Sequence, residues 1–296
     1  MPGKRSFFKY TTPETALAIL EHKTVKYSSP ICFNDPFDVQ SGLHFDFDLK
    51  SLPVHFLDRL FELITSDKEP SLDATVVWGK LILLARQKYG ERGFDRERLR
   101  LRLSESLHTV AESIAQWQVE YQQKWTDLLP KMRVFCVTEE WDNLLMWAHY
   151  AGDHTGVVFE FLSLPDEDNP LSVARKVEYV KGPPSFLTRD EWIDDILGVR
   201  QIDLIDFSKR YAFTKSSHWQ YEKEWRAWYP DHAPSSEPHA FVPINPHELK
   251  ALYIGCQARQ PFLERVVPLA KSAFPQLSLY RARKSTGSFG LEYTEA

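Results

Sequence analysis

Phe7-Phe8-Lys9-Tyr10-Thr11-Thr12-Pro13-Glu14 sets the start of the fold. Its first five residues are aromatic and β-favouring, which predicts a short strand. Thr12 is suited to cap a helix, with Pro13 at the first helical position and Glu14 near the positive end of the dipole. Leu17, Ile19 and Leu20 supply the apolar side of that helix. Residues 24–28 alternate as a second strand and run into a loop of turn formers, SPICFNDPFD, over 29–38.

Residues 50–131 change to helical periodicity, with amphipathic segments expected over 51–67, 73–90 and 95–128. The stripe Leu57, Leu60, Phe61 and Ile64 illustrates the spacing. Strands are expected at 133–138, 156–161, 174–179, 224–229 and 249–254, and helices at 143–152 and from Thr188, where Thr188 and Glu191 form a capping-box pattern. The order predicts an α+β protein, not regular βαβ units: one domain over 1–296 with a helical insertion at 50–131.

Composition narrows the classes. With 43% hydrophobic and 26% charged residues and nine Trp, the chain has ample material for a packed core. A net charge of -5 argues against a basic nucleic-acid coat, and the one dense basic run, Arg96–Arg102, reads as a solvated helix face. Cys32, Cys136 and Cys256 lie far apart without zinc spacing, which predicts reduced thiols. The longest apolar run, Val76–Ala85, contains Lys80 and is too short to span a bilayer, and the N-terminus lacks a signal-peptide core. These features predict a cytoplasmic protein with no membrane partner. GxGxxG, GxxxxGK[ST], HExxH and GxSxG are all absent, so a nucleotide would bind by another geometry.

Three clusters carry candidate chemistry. In Phe33–Asp38 (FNDPFD), Asn34 and Asp35 are either turn residues or polar groups aimed into a cleft by buried Phe33 and Phe37. In Asp142–Gly156, Leu144, Ala148 and Ala151 are expected on the inward face of a helix, with Trp147 close to it. Trp147, His149, Tyr150 and the following His154 suit either a core or a stacking wall for a planar ring, while the His149–His154 spacing disfavours a metal pair. The third runs from Lys215 to Arg226. Strand alternation would set Glu222, Glu224 and Arg226 on one face, as an ion-pair ladder or as carboxylates stabilising positive charge on a sugar carbon.

Phe8-Lys9-Tyr10, FNDPFD, MWAHYxxxHxG over 146–156 and WxYExEWR over 219–226 together resemble an uncharacterised bacterial family, a numbered domain of unknown function (2971). A weaker resemblance is to the ADP-ribosyltransferases, whose chains open with an aromatic strand of the form HYT, then a helix and a strand. That likeness implies a split mixed or antiparallel sheet core and NAD consumed as substrate. It assigns catalysis to Glu222, Glu224 and Tyr150, with Tyr150 and Trp147 stacking nicotinamide and Lys9 and Arg226 meeting the diphosphate. Tyr10, Thr11, Asn34, Asp35, His149 and His154 complete the implied binding set, with no metal. It also implies transfer to an acceptor protein or nucleic acid, in anti-phage defence or as a toxin. Two other readings stay open: a Mg²⁺-dependent nuclease or phosphodiesterase gathering Asp35, Asp38, Glu222 and Glu224 with help from Lys215, and a non-catalytic nucleotide-sensing module.

Overall fold

The structure is a computed structural model describing residues 5–89, 95–164, 166–167, 169–201, 204–230 and 237–296. In chain order its elements begin with β1 (Ser6–Thr11), α1 (Pro13–His22), β2 (Thr24–Ser28), α2 (Leu52–Thr65), α3 (Val77–Tyr89), α4 (Arg96–Glu105) and α5 (Leu107–Leu128). They continue with β3 (Met132–Thr138), α6 (Leu144–Tyr150), β4 (Val157–Leu162), β5 (Arg175–Lys176), β6 (Glu178–Val180), α7 (Arg189–Ile196), α8 (Leu204–Ala212) and β7 (Thr214–Ser216). The last are β8 (Glu224–Pro230), β9 (His239–Pro243), β10 (Leu249–Ile254), α9 (Gln260–Ala273), β11 (Ser278–Lys284) and β12 (Leu291–Glu295). The fold is α+β, with a mixed, mostly antiparallel sheet.

Two compact units divide the chain. One comprises residues 41–128 and 183–211, so 183–211 joins the helical block expected at 50–131. The His44–Ser185 bridge and Tyr211, whose hydroxyl accepts from His44 N and donates to Pro184 O, tie the two stretches together. Within it Phe56, Ile82 and Trp192 are fully buried. The segment expected over 95–128 is two helices, because the chain breaks at Ser106, which ends α4. α4, which carries the basic run, buries none of its residues. The helix expected over 73–90 is shorter: residues 73–76 are a turn at Asp73, and residue 90 lies outside the described set.

The other unit holds the large sheet, in the order β12-β11-β10-β4-β1-β3-β2-β9 with β8 paired to β3. β10 and β11 run parallel, and the other pairings in this sheet are antiparallel. Phe7, Leu20, Phe159, Leu252 and Val266 lie in the core that joins the sheet to α1 and α9. Expected features recur here: Thr12 accepts from Thr15 N, and Pro13 opens α1. The strand expected at 174–179 is two pieces. Val177 lies between them, donating to Glu224 O at 2.9 Å, and the chain passes from pairing with β8 to pairing with β7.

The sheet is open at its centre. β1 follows β4 over six residues but meets β3 at one pair, Phe8–Thr138, and β2 meets β3 at one pair, Ser28–Val134. β3 itself is held along its length by β8, from Met132–Pro230 to Thr138–Glu224. The strands therefore diverge between Val134 and Thr138, and a crevice opens there.

Candidate functional site

The crevice has a volume of about 450 Å³ and lies wholly within the sheet unit. β1, β2 and β3 supply its walls, α1 closes one side, and the FNDPFD loop, α6 and the turn before β8 close the other. This size is within the roughly 300–1,000 Å³ typical of small-molecule sites.

Lys215, Glu222, Glu224, Arg226 and Asp38 form a buried ionic network at its floor, each 7% exposed or less. Lys215 Nζ donates to Glu222 Oε2 at 2.5 Å and Glu224 Oε2 at 3.0 Å, and lies 3.6 Å from Asp38 Oδ2. Arg226 spends its donors on Asp38 (3.0 and 2.6 Å), Glu224 (2.8 and 3.1 Å) and Ala212 O (2.7 Å). Three carboxylates thus face two cations. Such a network is costly to desolvate and holds only because its members satisfy one another.

The two glutamates are driven apart. Burial would raise Glu224, but Arg226 and Lys215 outweigh it and hold its carboxyl well below the usual range. Burial dominates at Glu222 and raises its pKa, with Glu224 adding to the rise and Lys215 opposing it. Tyr150 Oη donates to the other oxygen, Glu222 Oε1, at 2.5 Å. That phenol is itself pushed up, by burial and then by Glu222. Burial and Glu224 likewise push up the Cys136 thiol, which makes it a poor nucleophile.

All three expected clusters meet here. Asp35 Oδ2 accepts from Trp219 Nε1 at 2.7 Å, His149 Nδ1 lies 2.8 Å from Tyr221 Oη, and Asn143 Nδ2 donates to Tyr221 O at 2.8 Å. Arg226 lies over the Phe33 ring at 5.3 Å. Lys9, Tyr10, Thr11, Asn34, His149, Tyr150, Glu222 and Glu224 all line the crevice.

Several placements correct the sequence reading. Glu222 is not on a strand: residues 217–222 form a 3-10 turn and Lys223 adopts a left-handed φ of 44°, so the turn, not alternation, brings Glu222 beside Glu224. Arg226 is fully buried with its donors engaged and cannot meet a diphosphate. Trp147 is fully buried too, edge-on to Tyr10, behind the wall and not on it. The inward face of α6 is Met146 and Trp147, continued by Ala151, because Asn143 starts the helix and sets its phase.

His154 lies away from the crevice and lines a separate cavity with Cys256 and Lys284. It closes a turn with Gly152 and Asp153, three successive residues at positive φ. That turn is pressed onto β1, since a Cβ on Gly156 would meet Thr11 O at 2.1 Å. Asp35 is a turn residue whose Oδ1 accepts from Phe37 N, and Phe37 is 76% exposed, so it anchors nothing. Sequence reasoning missed Lys26 and the Cys136 carbonyl, which signal nothing in one dimension, and gave Asp38 and Lys215 only to a metal reading. Among the described residues no group of three or more His, Cys, Asp or Glu is arranged to hold a metal ion. No described helix is long and apolar enough to cross a membrane.

Residues 146–227 match the family described as Protein of unknown function (DUF2971). The matched segment holds Tyr150, Lys215, Glu222, Glu224 and Arg226, while Lys9, Asn34 and Asp38 lie outside it. No curated protein and no solved structure matches the chain.

Proposed function

We propose that this crevice cleaves a glycosidic bond in a nucleotide of the NAD class, releasing the base and transferring the ADP-ribosyl group to an acceptor or to water. The observation that carries this reading is the Tyr150–Glu222 pair set against Glu224. Two carboxylates share one ammonium, yet one is held ionised and the other raised. Glycoside chemistry needs negative charge near an oxocarbenium-like carbon, and paired carboxylates with divergent pKa values divide such labour.

Glu222 is the acting carboxylate in this scheme. Glu224 accepts from Arg226 and Lys215 and fixes the network, a positioning role. Tyr150 contributes its hydroxyl, which orients Glu222, more than the ring face first expected of it. The metal-dependent alternative is less well supported, because Lys215 and Arg226 already occupy the carboxylates it would need, and Asp35 is engaged elsewhere.

Incubating the full chain with NAD and following nicotinamide by chromatography tests the reading. Release should fall by about 10²-fold or more in Glu222→Gln, consistent with loss of a transition-state charge partner. Release equal in wild type and variant would overturn it.

A further inference from the structure

We propose that the cavity at the β11–β12 hairpin is a second binding site, built for a small planar aromatic carboxylate. It has a volume of about 320 Å³ and lies within the sheet unit, sharing no lining residue with the crevice. That is at the lower end of the roughly 300–1,000 Å³ typical of small-molecule sites. Its lining comes from the hairpin, from the segments around His154 and Cys256, and from Leu144 at the start of α6.

The wall at His154 is preformed. Asp153 and His154 hold left-handed φ values of 54° and 66°, which side chains keep only where their surroundings impose it. Here they do. His154 N donates to Trp147 O at 3.1 Å, His154 O accepts from Gln257 N at 3.0 Å, and Gln257 Nε2 donates to Asp153 O at 3.1 Å. A Cβ on Gly255 would meet His154 O at 2.1 Å, so the two segments approach this closely only because that residue is glycine. The imidazole stacks on Trp147, with ring centroids 6.0 Å apart and planes 7° from parallel. A wall already fixed in this way costs a ligand little ordering.

Charge and shape select the ligand class. No carboxylate is among the described residues lining the cavity, and the ammonium of Lys284 has no hydrogen bond or ion pair to any described residue. Ser285 Oγ accepts from Gly287 N and from Ser288 Oγ, both at 3.4 Å, so one hydroxyl hydrogen of that pair remains to donate. An ammonium and a hydroxyl match one carboxylate, whereas a phosphate would leave most of its oxygens without donors. The apolar half lies alongside. Leu291 is paired with Lys284 across the hairpin, so the two share one face of it. Phe289 lines the same cavity, yet its side chain is fully exposed. A flat ring laid against Phe289 would take both surfaces out of water. An aromatic body bearing one carboxylate therefore fits both halves. This assignment does not rest on the glycosidic reading.

Cysteine alkylation and calorimetry on the full chain test the site, with benzoate as probe and benzamide and acetate as controls. Cys256 lines this cavity, whereas Cys32 lines the crevice, so the two thiols report on the two places separately. Benzoate should slow alkylation of Cys256 by N-ethylmaleimide, read by mass spectrometry, and leave Cys32 unchanged. Benzamide lacks the charge and acetate lacks the ring, so each should bind about ten-fold more weakly than benzoate, or worse. Lys284→Gln should weaken benzoate by about ten-fold and Phe289→Ala by about five-fold. Both positions are exposed, so neither change should alter the melting temperature. No benzoate binding at millimolar concentration, protection of Cys32 in place of Cys256, a control binding as tightly as benzoate, or unchanged affinity in either variant would each overturn the site. None of these readouts uses NAD. Failure to release nicotinamide would therefore leave this site standing, and loss of this site would leave the glycosidic reading untouched.

Discussion

Tyr150 Oη donates to Glu222 Oε1 at 2.5 Å, joining α6 to the turn that precedes β8. This contact ties two motifs lying 72 positions apart, and it sits where the sheet opens.

Tyr150→Phe should slow nicotinamide release and move the acid limb of its pH profile upward. Donation from Tyr150 opposes the rise that burial imposes on Glu222, so its removal raises that carboxyl further and leaves less carboxylate at a given pH. A hydrogen bond to a charged group contributes about 1.5–3 kcal/mol, so a loss of about ten-fold or more is expected near pH 6. A pH–rate series on both proteins checks it.

Glu224 and Glu222 should contribute to the pH dependence of stability with opposite signs. The folded-state pKa of Glu224 lies below its ordinary value, so its contribution is present above the unfolded pKa and is lost as pH falls through the folded one. Glu224→Gln should therefore flatten the acid limb of a melting-temperature profile below about pH 4.5. Glu222 is raised, so its ionisation opposes folding as pH climbs, and Glu222→Gln should cost much less than Glu224→Gln at pH 7.

Arg226→Met leaves Asp38 and Glu224 without their principal cation in a fully buried position. Removing one partner of such a network costs about 3–5 kcal/mol. Denaturant titration should show that loss, and Arg226→Lys should recover only part of it, because an ammonium cannot fork onto Asp38.

Trp147→Ala should destabilise by about 3–5 kcal/mol, as a large aromatic removed from a core does. Ligand affinity measured below the melting transition should change little, since the ring does not line the crevice. Calorimetry and thermal melting together separate the two effects.

The opening strand–helix–strand was legible because local chemistry dictates it: Thr12 and Pro13 fix the helix start wherever the segment packs. The clustering of FNDPFD, the MWAHY helix and the segment before Arg226 was legible as a set of unusual residues. Their roles were not. Arg226 reads like a ligand-binding guanidinium in one dimension, and only three-dimensional packing shows its donors consumed by Asp38, Glu224 and Ala212 O. Glu222 was placed on the right side of the molecule by a strand pattern it does not follow, since Lys223 at positive φ breaks the strand before it. Later elements such as α9, β11 and β12 escaped notice because their apolar positions become distinctive only when packed against the sheet.

A crystal structure of the Glu222→Gln protein soaked with NAD tests the central claim most directly. The account predicts intact NAD in the split between β1 and β3, its nicotinamide ribose facing residue 222 and its diphosphate toward Lys9. NAD bound with the nicotinamide end directed away from residue 222, or an empty crevice at saturating NAD, would contradict it.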